Sequence, residues 1–202
     1  MSALRLLRSH CVQYHKLYSI LFLLGLPFVM TACTTDWINE ATSIINLLVP
    51  AIEGAIAILA AFGTGLSPDV LTQVQTWGQK ATTALQTVIL PLLNEYNQAE
   101  ASAQPGILVE IQNGLQALTD QLNALLPLIN VTDPTTRAKI MAVVDTVANE
   151  LAALVALVPA IEGKVTSHDE LKALVSAVKS PKEFKSAYND AAKPFGEQYM
   201  LK

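Results

Sequence analysis

Residues 140–161 read IMAVVDTVANELAALVALVPAI, and their apolar positions recur at alternating steps of three and four residues. This spacing places one apolar row along an α-helix, as in helical bundles and coiled coils. The same steps run from Leu108 to Ile129, and a looser version runs from Val70 to Leu92. Because the alternation typical of strands is absent from the sequence, we predict an all-α protein.

Capping and breaking residues divide this helical sequence into four long helices. Ser67-Pro68 and Asp133-Pro134 are typical helix starts, because a polar N-cap precedes a proline at the first helical position. The short connections between the helices favour an antiparallel up-down-up-down four-helix bundle. The predicted helices span about residues 37–62, 68–99, 106–130 and 134–162.

A change in charge separates the main body from a C-terminal tail. Residues 34–163 hold 3 basic and 12 acidic side chains, whereas residues 164–202 hold 7 basic and 5 acidic ones. This shift predicts a boundary between a four-helix body, 37–163, and a tail, 164–202.

The tail carries two capping-box patterns, in which a serine at the N-cap is followed three residues later by a glutamate. These are Ser167 with Glu170 and Ser180 with Glu183. They predict a short C-terminal helical hairpin, with helices at about 168–179 and 181–192.

The first 33 residues have the organisation of a secretory signal. Arg5, Arg8 and Lys16 precede an apolar stretch at 17–30, and no acidic residue occurs before Asp36. An apolar stretch of about 14 residues is shorter than the roughly 20 residues that a membrane-spanning helix needs. The pattern therefore predicts a signal peptide over residues 1–32.

The end of this signal, Met30-Thr31-Ala32-Cys33, resembles the lipobox of bacterial lipoproteins. The resemblance implies a diacylglycerol group on the Cys33 thiol, cleavage before Cys33 and acylation, for example by palmitate, of the new amino group. Residues 33–36 would then be a lipid-anchored linker. Thr34 after the cysteine implies sorting to the outer membrane, facing the periplasm. The alternative is a plain signal peptide or signal anchor, in which Cys33 has no role.

The sequence offers little catalytic chemistry. His168 is the one histidine after Cys33, and we expect it to be a solvated residue in the first turn of a helix. We therefore predict no catalytic residue, metal site or cofactor. Two speculative features remain in the first helix. Pro50 is expected to kink that helix, and Glu53, with apolar neighbours on both sides, is a speculative buried carboxylate.

Net charge narrows the possible partners. The chain has a formal net charge of −4 and no basic tract, which argues against binding to nucleic acid. We expect a lipid-anchored binding or scaffolding module of the cell envelope, not an enzyme, that acts on an unidentified envelope protein and could form homo-oligomers. Two alternatives remain. The bundle could carry an apolar ligand, or residues 41–63 could be inserted in the membrane as part of an integral membrane protein.

Overall fold

The computed structural model describes residues 31–161 and 179–202, with the side chains of residues 37–158 and 179–202. This part of the chain contains helices and no strand, so the all-α prediction is confirmed for it. It has five helices. They are α1 (Thr31–Phe62), α2 (Pro68–Ala84, a π-helical stretch Leu85–Ile89, and Leu90–Gln98), α3 (Gln104–Leu125), α4 (Pro134–Ile161) and α5 (Pro181–Ala192).

Helices α1 to α4 correspond to the four predicted long helices. The largest difference is at the first helix, which begins at Thr31, so residues 33–36 belong to α1 although we predicted a linker there. In the tail, helix α5 has the predicted bounds. The predicted signal peptide up to residue 30 lies outside the described residues, as do residues 168–178 of the tail helix predicted at 168–179; Lys179, the last residue of that prediction, is not helical.

The predicted caps are present. The Ser67 hydroxyl accepts a hydrogen bond from the backbone N–H of Val70 at 3.2 Å, and a carboxylate oxygen of Asp133 accepts one from Thr136 N–H at 2.6 Å. Hydrogen bonds from Thr136 hold the pKa of the Asp133 carboxyl below its ordinary value. Ser180 and Glu183 form the complete capping box, in which each side chain accepts the backbone N–H of the other residue. Local sequence therefore fixes where these helices begin.

Prolines affect two of the long helices differently. Pro50 lies inside α1, which keeps its α-helical pattern through this residue and leaves the proline ring exposed. In α2, the π-helical stretch Leu85–Ile89 comes just before Pro91, and the N–H of Leu90 bonds to the carbonyl of Leu85. A proline ring clashes with the carbonyl four residues before it, and the wider π turn relieves that clash. Pro91 therefore adjoins the change in helix type.

Helix α1 lies at the centre of the packing. It contacts α2, α4 and α5, while α2 also contacts α3 and α3 contacts α4. The side chains of Ile44, Leu48, Ile52 and Ile58 are fully buried, as expected for a helix covered on three sides. Burial of such side chains supplies most of the free energy that stabilises a helical body.

Individual contacts define which parts of the helices lie side by side. The ring of Trp37 meets that of Tyr96 with centroids 5.5 Å apart, and Gly78 lies against Ile52 and Ile56. One further contact joins α2 with α3, and another joins the loop that follows α1 with the loop that precedes α4. The Trp77 indole N–H donates to the carbonyl of Leu118 at 3.2 Å, and the Thr132 N–H donates to the carbonyl of Thr64 at 2.9 Å.

The C-terminal segment, which we define as residues 179–202, packs on α1 and α4. Beyond α5 the chain makes two 3₁₀ turns, Lys193–Phe195 and Glu197–Tyr199. The Asn189 side chain accepts the N–H of Leu201 at 2.7 Å and donates to its carbonyl at 3.1 Å. Phe195 and Leu201 are buried, so this segment contributes to the apolar core up to its penultimate residue.

Candidate functional site

The start of α1 holds the predicted lipid-attachment residue, Cys33. Its backbone is part of the helix, and the described side chains begin four residues later at Trp37. The Trp37 ring is half-buried against Tyr96, and its indole nitrogen is buried with no hydrogen-bond partner among the described residues. Trp37 therefore packs on α2 in the first turns of α1.

The two speculative residues of α1 both face solvent. Pro50 and Glu53 are exposed, so the hypothesis that Glu53 is a buried carboxylate is wrong. They belong to an exposed row of α1 in which positions again recur at steps of three and four. The row consists of Asn39, Ser43, Asn46, Pro50, Glu53, Ala57 and Ala60. Most of these side chains are small or uncharged, which explains why the helix looked apolar nearly all round.

In the part of the chain that the structure describes, a buried carboxylate is found at Glu150, on α4. Its side chain is fully buried, and neither carboxylate oxygen has a hydrogen-bond partner among the described residues. Among the described residues its ion-pair partner is Lys179, whose Nζ lies 3.9 Å from Oε2, beyond hydrogen-bond distance. A buried carboxylate is normally paired and hydrogen-bonded, because the charged form loses its hydration when it leaves water.

Burial has a clear effect on the ionisation of Glu150. It raises the pKa of the carboxyl to about 7, because desolvation penalises the charged form. The positive charge of Lys179 acts in the opposite direction, while the negative charges of Glu183 and Glu40 raise the pKa further. Since the Lys179 side chain is 37% exposed, water screens its attraction. The carboxyl therefore changes its charge near neutral pH.

Sequence reasoning missed Glu150, although a signal for it exists. Val143, Glu150 and Leu157 are seven residues apart, and they form a second row next to the predicted apolar row of α4. Helix α4 contacts α1, α3 and α5, so it buries a wider face than a single row provides. A helix that buries two rows must also bury a charged residue that falls in the second one.

A second buried polar group lies on α5. The side chains of Phe184, Tyr188 and Ala192 are fully buried, and the Tyr188 hydroxyl has no hydrogen-bond partner among the described residues. Burial raises the pKa of Tyr188 above its ordinary value. The hydroxyl lies against Gly54 of α1, where a Cβ atom would collide with it. Gly54 therefore lets α5 approach α1 closely at this point.

Two small apolar voids lie between the helices. One, of about 20 Å³, is lined by residues that include Ile52, Trp77 and Leu122, and the other, of about 10 Å³, adjoins Trp37 and Leu115. Sites for small molecules usually have volumes of roughly 300–1,000 Å³. An apolar ligand of that size would have to separate the helices from their observed positions.

In the ranges 31–161 and 179–202, no group of three or more His, Cys, Asp and Glu side chains is arranged to hold a metal ion. His168, which we expected to be solvated, lies outside these ranges.

Two helical stretches are long and apolar enough to cross a membrane. They are Trp37–Phe62, with a mean hydropathy of 2.1, and Pro134–Val158, with a mean hydropathy of 1.8. Half of each is buried inside the body, as is common for core helices of soluble proteins, so length and composition alone are weak support for a membrane span.

Comparison of the chain with protein-family models, curated proteins and solved structures finds no match.

Proposed function

We propose that this protein is a lipoprotein of the cell envelope, anchored through Cys33, whose helical body acts as a binding or scaffolding module without catalysis. The proposed location is the outer membrane, with the body facing the periplasm and an envelope protein as its partner. The proposal combines the lipobox-like sequence Met30-Thr31-Ala32-Cys33 with the position of Cys33 in the fold.

The continuity of α1 is the observation that carries this proposal. The helix runs without a break from Thr31 to Phe62. The same helix packs against α2, α4 and α5. An acyl group on Cys33 would therefore be attached to the central helix of the body, not to a flexible leader. Two or more acyl chains hold a protein stably on a bilayer. Such an attachment would keep the body at a defined distance from the membrane, as scaffolding requires.

We further propose that α1 to α4 form an antiparallel up-down-up-down bundle. Trp37, near the start of α1, contacts Tyr96, near the end of α2, whereas Ile56, later in α1, contacts Gly78, earlier in α2. Residue numbers therefore increase along α1 as they decrease along α2. The Thr64–Thr132 hydrogen bond joins the loop after α1 to the loop before α4. These contacts support opposite directions for α1 and α2 and for α1 and α4.

Metabolic labelling tests the anchor. In cells that express the full chain and are supplied with radioactive palmitate, the wild type should be labelled and the Cys33→Ser variant should lose the label. Cys11→Ser is the matched control, because Cys11 lies in the predicted signal peptide, and it should be labelled like the wild type. Labelling of Cys33→Ser at the wild-type level would overturn the lipoprotein proposal.

Crosslinking in the same cells tests the scaffolding role. Photoreactive residues at the exposed positions Gln79 of α2 and Ala142 of α4 sample two faces of the body. We expect the anchored chain to form a discrete adduct with an envelope protein from at least one face, and the Cys33→Ser variant to lose it. The absence of adducts from the anchored wild type at both positions would contradict scaffolding through these faces.

A further inference from the structure

The environment of Glu150 is built by three parts of the chain. Glu150 belongs to α4, Glu40 belongs to α1, and Lys179 and Glu183 stand at the beginning of the C-terminal segment. Helix α3 also packs on α4, but its charged residues, Glu110 and Asp120, are exposed. The carboxyl thus lies where the C-terminal segment packs on α4, and among the described residues the charge of Lys179 favours its ionised form whereas the charges of Glu183 and Glu40 disfavour it.

We propose that Glu150 makes the attachment of the C-terminal segment depend on pH: the segment stays on α1 and α4 while the carboxyl is protonated and detaches more readily once the carboxyl is ionised. Detachment removes the residues that cover Glu150, so the carboxylate regains water. In the attached state neither oxygen accepts a hydrogen bond of good geometry from the described residues. The backbone N–H of Lys179 and its partly exposed ammonium, with Nζ 3.9 Å from Oε2, favour the charged form but do not replace its lost hydration. Desolvation therefore outweighs the ion pair.

The direction of the effect follows from proton linkage. Burial raises the pKa of Glu150 from 4.5 to about 7 in the attached state, and the exposed carboxyl of the detached state returns to its ordinary value. The attached state therefore binds the proton more tightly, and its advantage is complete below pH 4.5. As pH rises from about 4.5 to about 7, the detached fraction increases, by up to tenfold per pH unit, and it is constant above that window.

Amide hydrogen exchange measures this detachment directly. The full chain is studied in a nonionic detergent from pH 4.5 to 8, with each rate corrected for the intrinsic pH dependence of exchange. Protection of the α5 amides should fall by roughly a hundredfold across this range in the wild type. Amides of Ile111 and Leu115 in α3, far from the C-terminal segment in sequence, should keep their protection. A wild-type profile without pH dependence would overturn the proposal, as would a parallel loss in α3, which would indicate global unfolding.

Three variants locate the effect at Glu150. Glu150→Gln keeps the size of the side chain and removes its charge, so the protection of α5 should remain high at every pH. Glu53→Gln neutralises an exposed glutamate of α1 and should behave like the wild type. Lys179→Gln removes the nearby cation and should shift the midpoint of the protection loss to higher pH. A wild-type profile in Glu150→Gln, or an unchanged midpoint in Lys179→Gln, would contradict the assignment.

Discussion

The two sides of α1 are packed in different ways. Towards α2, the middle of α1 packs Ile52 and Ile56 against Gly78, and the nearby Trp77 indole N–H is satisfied by a backbone carbonyl; an indole N–H without a partner occurs nearer the start of α1, at Trp37. Towards α5, the contact includes the Tyr188 hydroxyl without a partner, and it adjoins the buried Glu150. The contact around Gly78 depends on the shapes of apolar side chains. The interface with α5 combines apolar burial with polar groups that oppose it, so its strength varies with pH.

The largest expected effects come from truncating one large apolar side chain on each side. Ile52 and Phe184 are both fully buried. Replacement of either by Ala should destabilise the helix packing to which it contributes by about 2–5 kcal/mol. Ile52→Ala should lower the midpoint of global unfolding in denaturant. Phe184→Ala should instead reduce the hydrogen-exchange protection of α5 first, because in the described part of the chain α5 packs mainly on α1 and α4.

The contrast between these variants tests whether the C-terminal segment is a separate cooperative unit. If Phe184→Ala lowered the protection of α3 as much as that of α5, the two interfaces would unfold together. The C-terminal segment would then belong to the same cooperative unit as α1 to α4.

The sequence predicted the helices well because the signals for them are local. Apolar steps of three and four residues and the caps at Ser67, Asp133 and Ser180 depend on residues within one or two turns. The π-helical stretch was missed, although Pro91 was noted, because the choice between an end, a kink and a π turn depends on what the helix packs against. Local patterns specify that a helix forms, and tertiary contacts decide how it continues.

The assignment of Glu53 and Glu150 shows where sequence reasoning fails. Glu53 was judged by its apolar neighbours in sequence, yet it lies in the exposed row of α1 because the remaining faces of that helix pack on other helices. Glu150 is buried because the C-terminal segment covers α4, and that contact joins residues about thirty positions apart. Burial of a charged residue is a property of the assembled helices, so periodicity within one helix cannot assign it.

A substitution at Gly78 tests the shape dependence of the contact between α1 and α2. A Cβ atom at this position would collide with the side chain of Ile56, so Gly78→Leu should force α1 and α2 apart and lower the free energy of unfolding by about 1–3 kcal/mol. Gly106→Ala is the control, because no atom lies within 4 Å of the Cβ that it adds. That control should be neutral or stabilising by up to about 1 kcal/mol. Equal destabilisation by both variants in chemical denaturation would contradict the close contact.

The smallest effect concerns the Tyr188 hydroxyl, and it separates the two polar groups of the α5 interface. A buried donor without a partner loses its hydrogen bonds to water on folding, so Tyr188→Phe should stabilise the attachment of the C-terminal segment by about 1 kcal/mol. Burial raises the pKa of Tyr188 above its ordinary value, so the phenol stays protonated from pH 5 to 8 and this gain should be the same throughout that range. The gain from Glu150→Gln should instead grow as the pH rises from about 4.5 to about 7 and stay constant above that window. Tyr199→Phe, at a half-buried tyrosine of the same segment, is the control and should change little. Exchange rates of the α5 amides at pH 5 and 8 measure all three variants, and a stabilisation by Tyr188→Phe that changed with pH would show that the two groups are coupled.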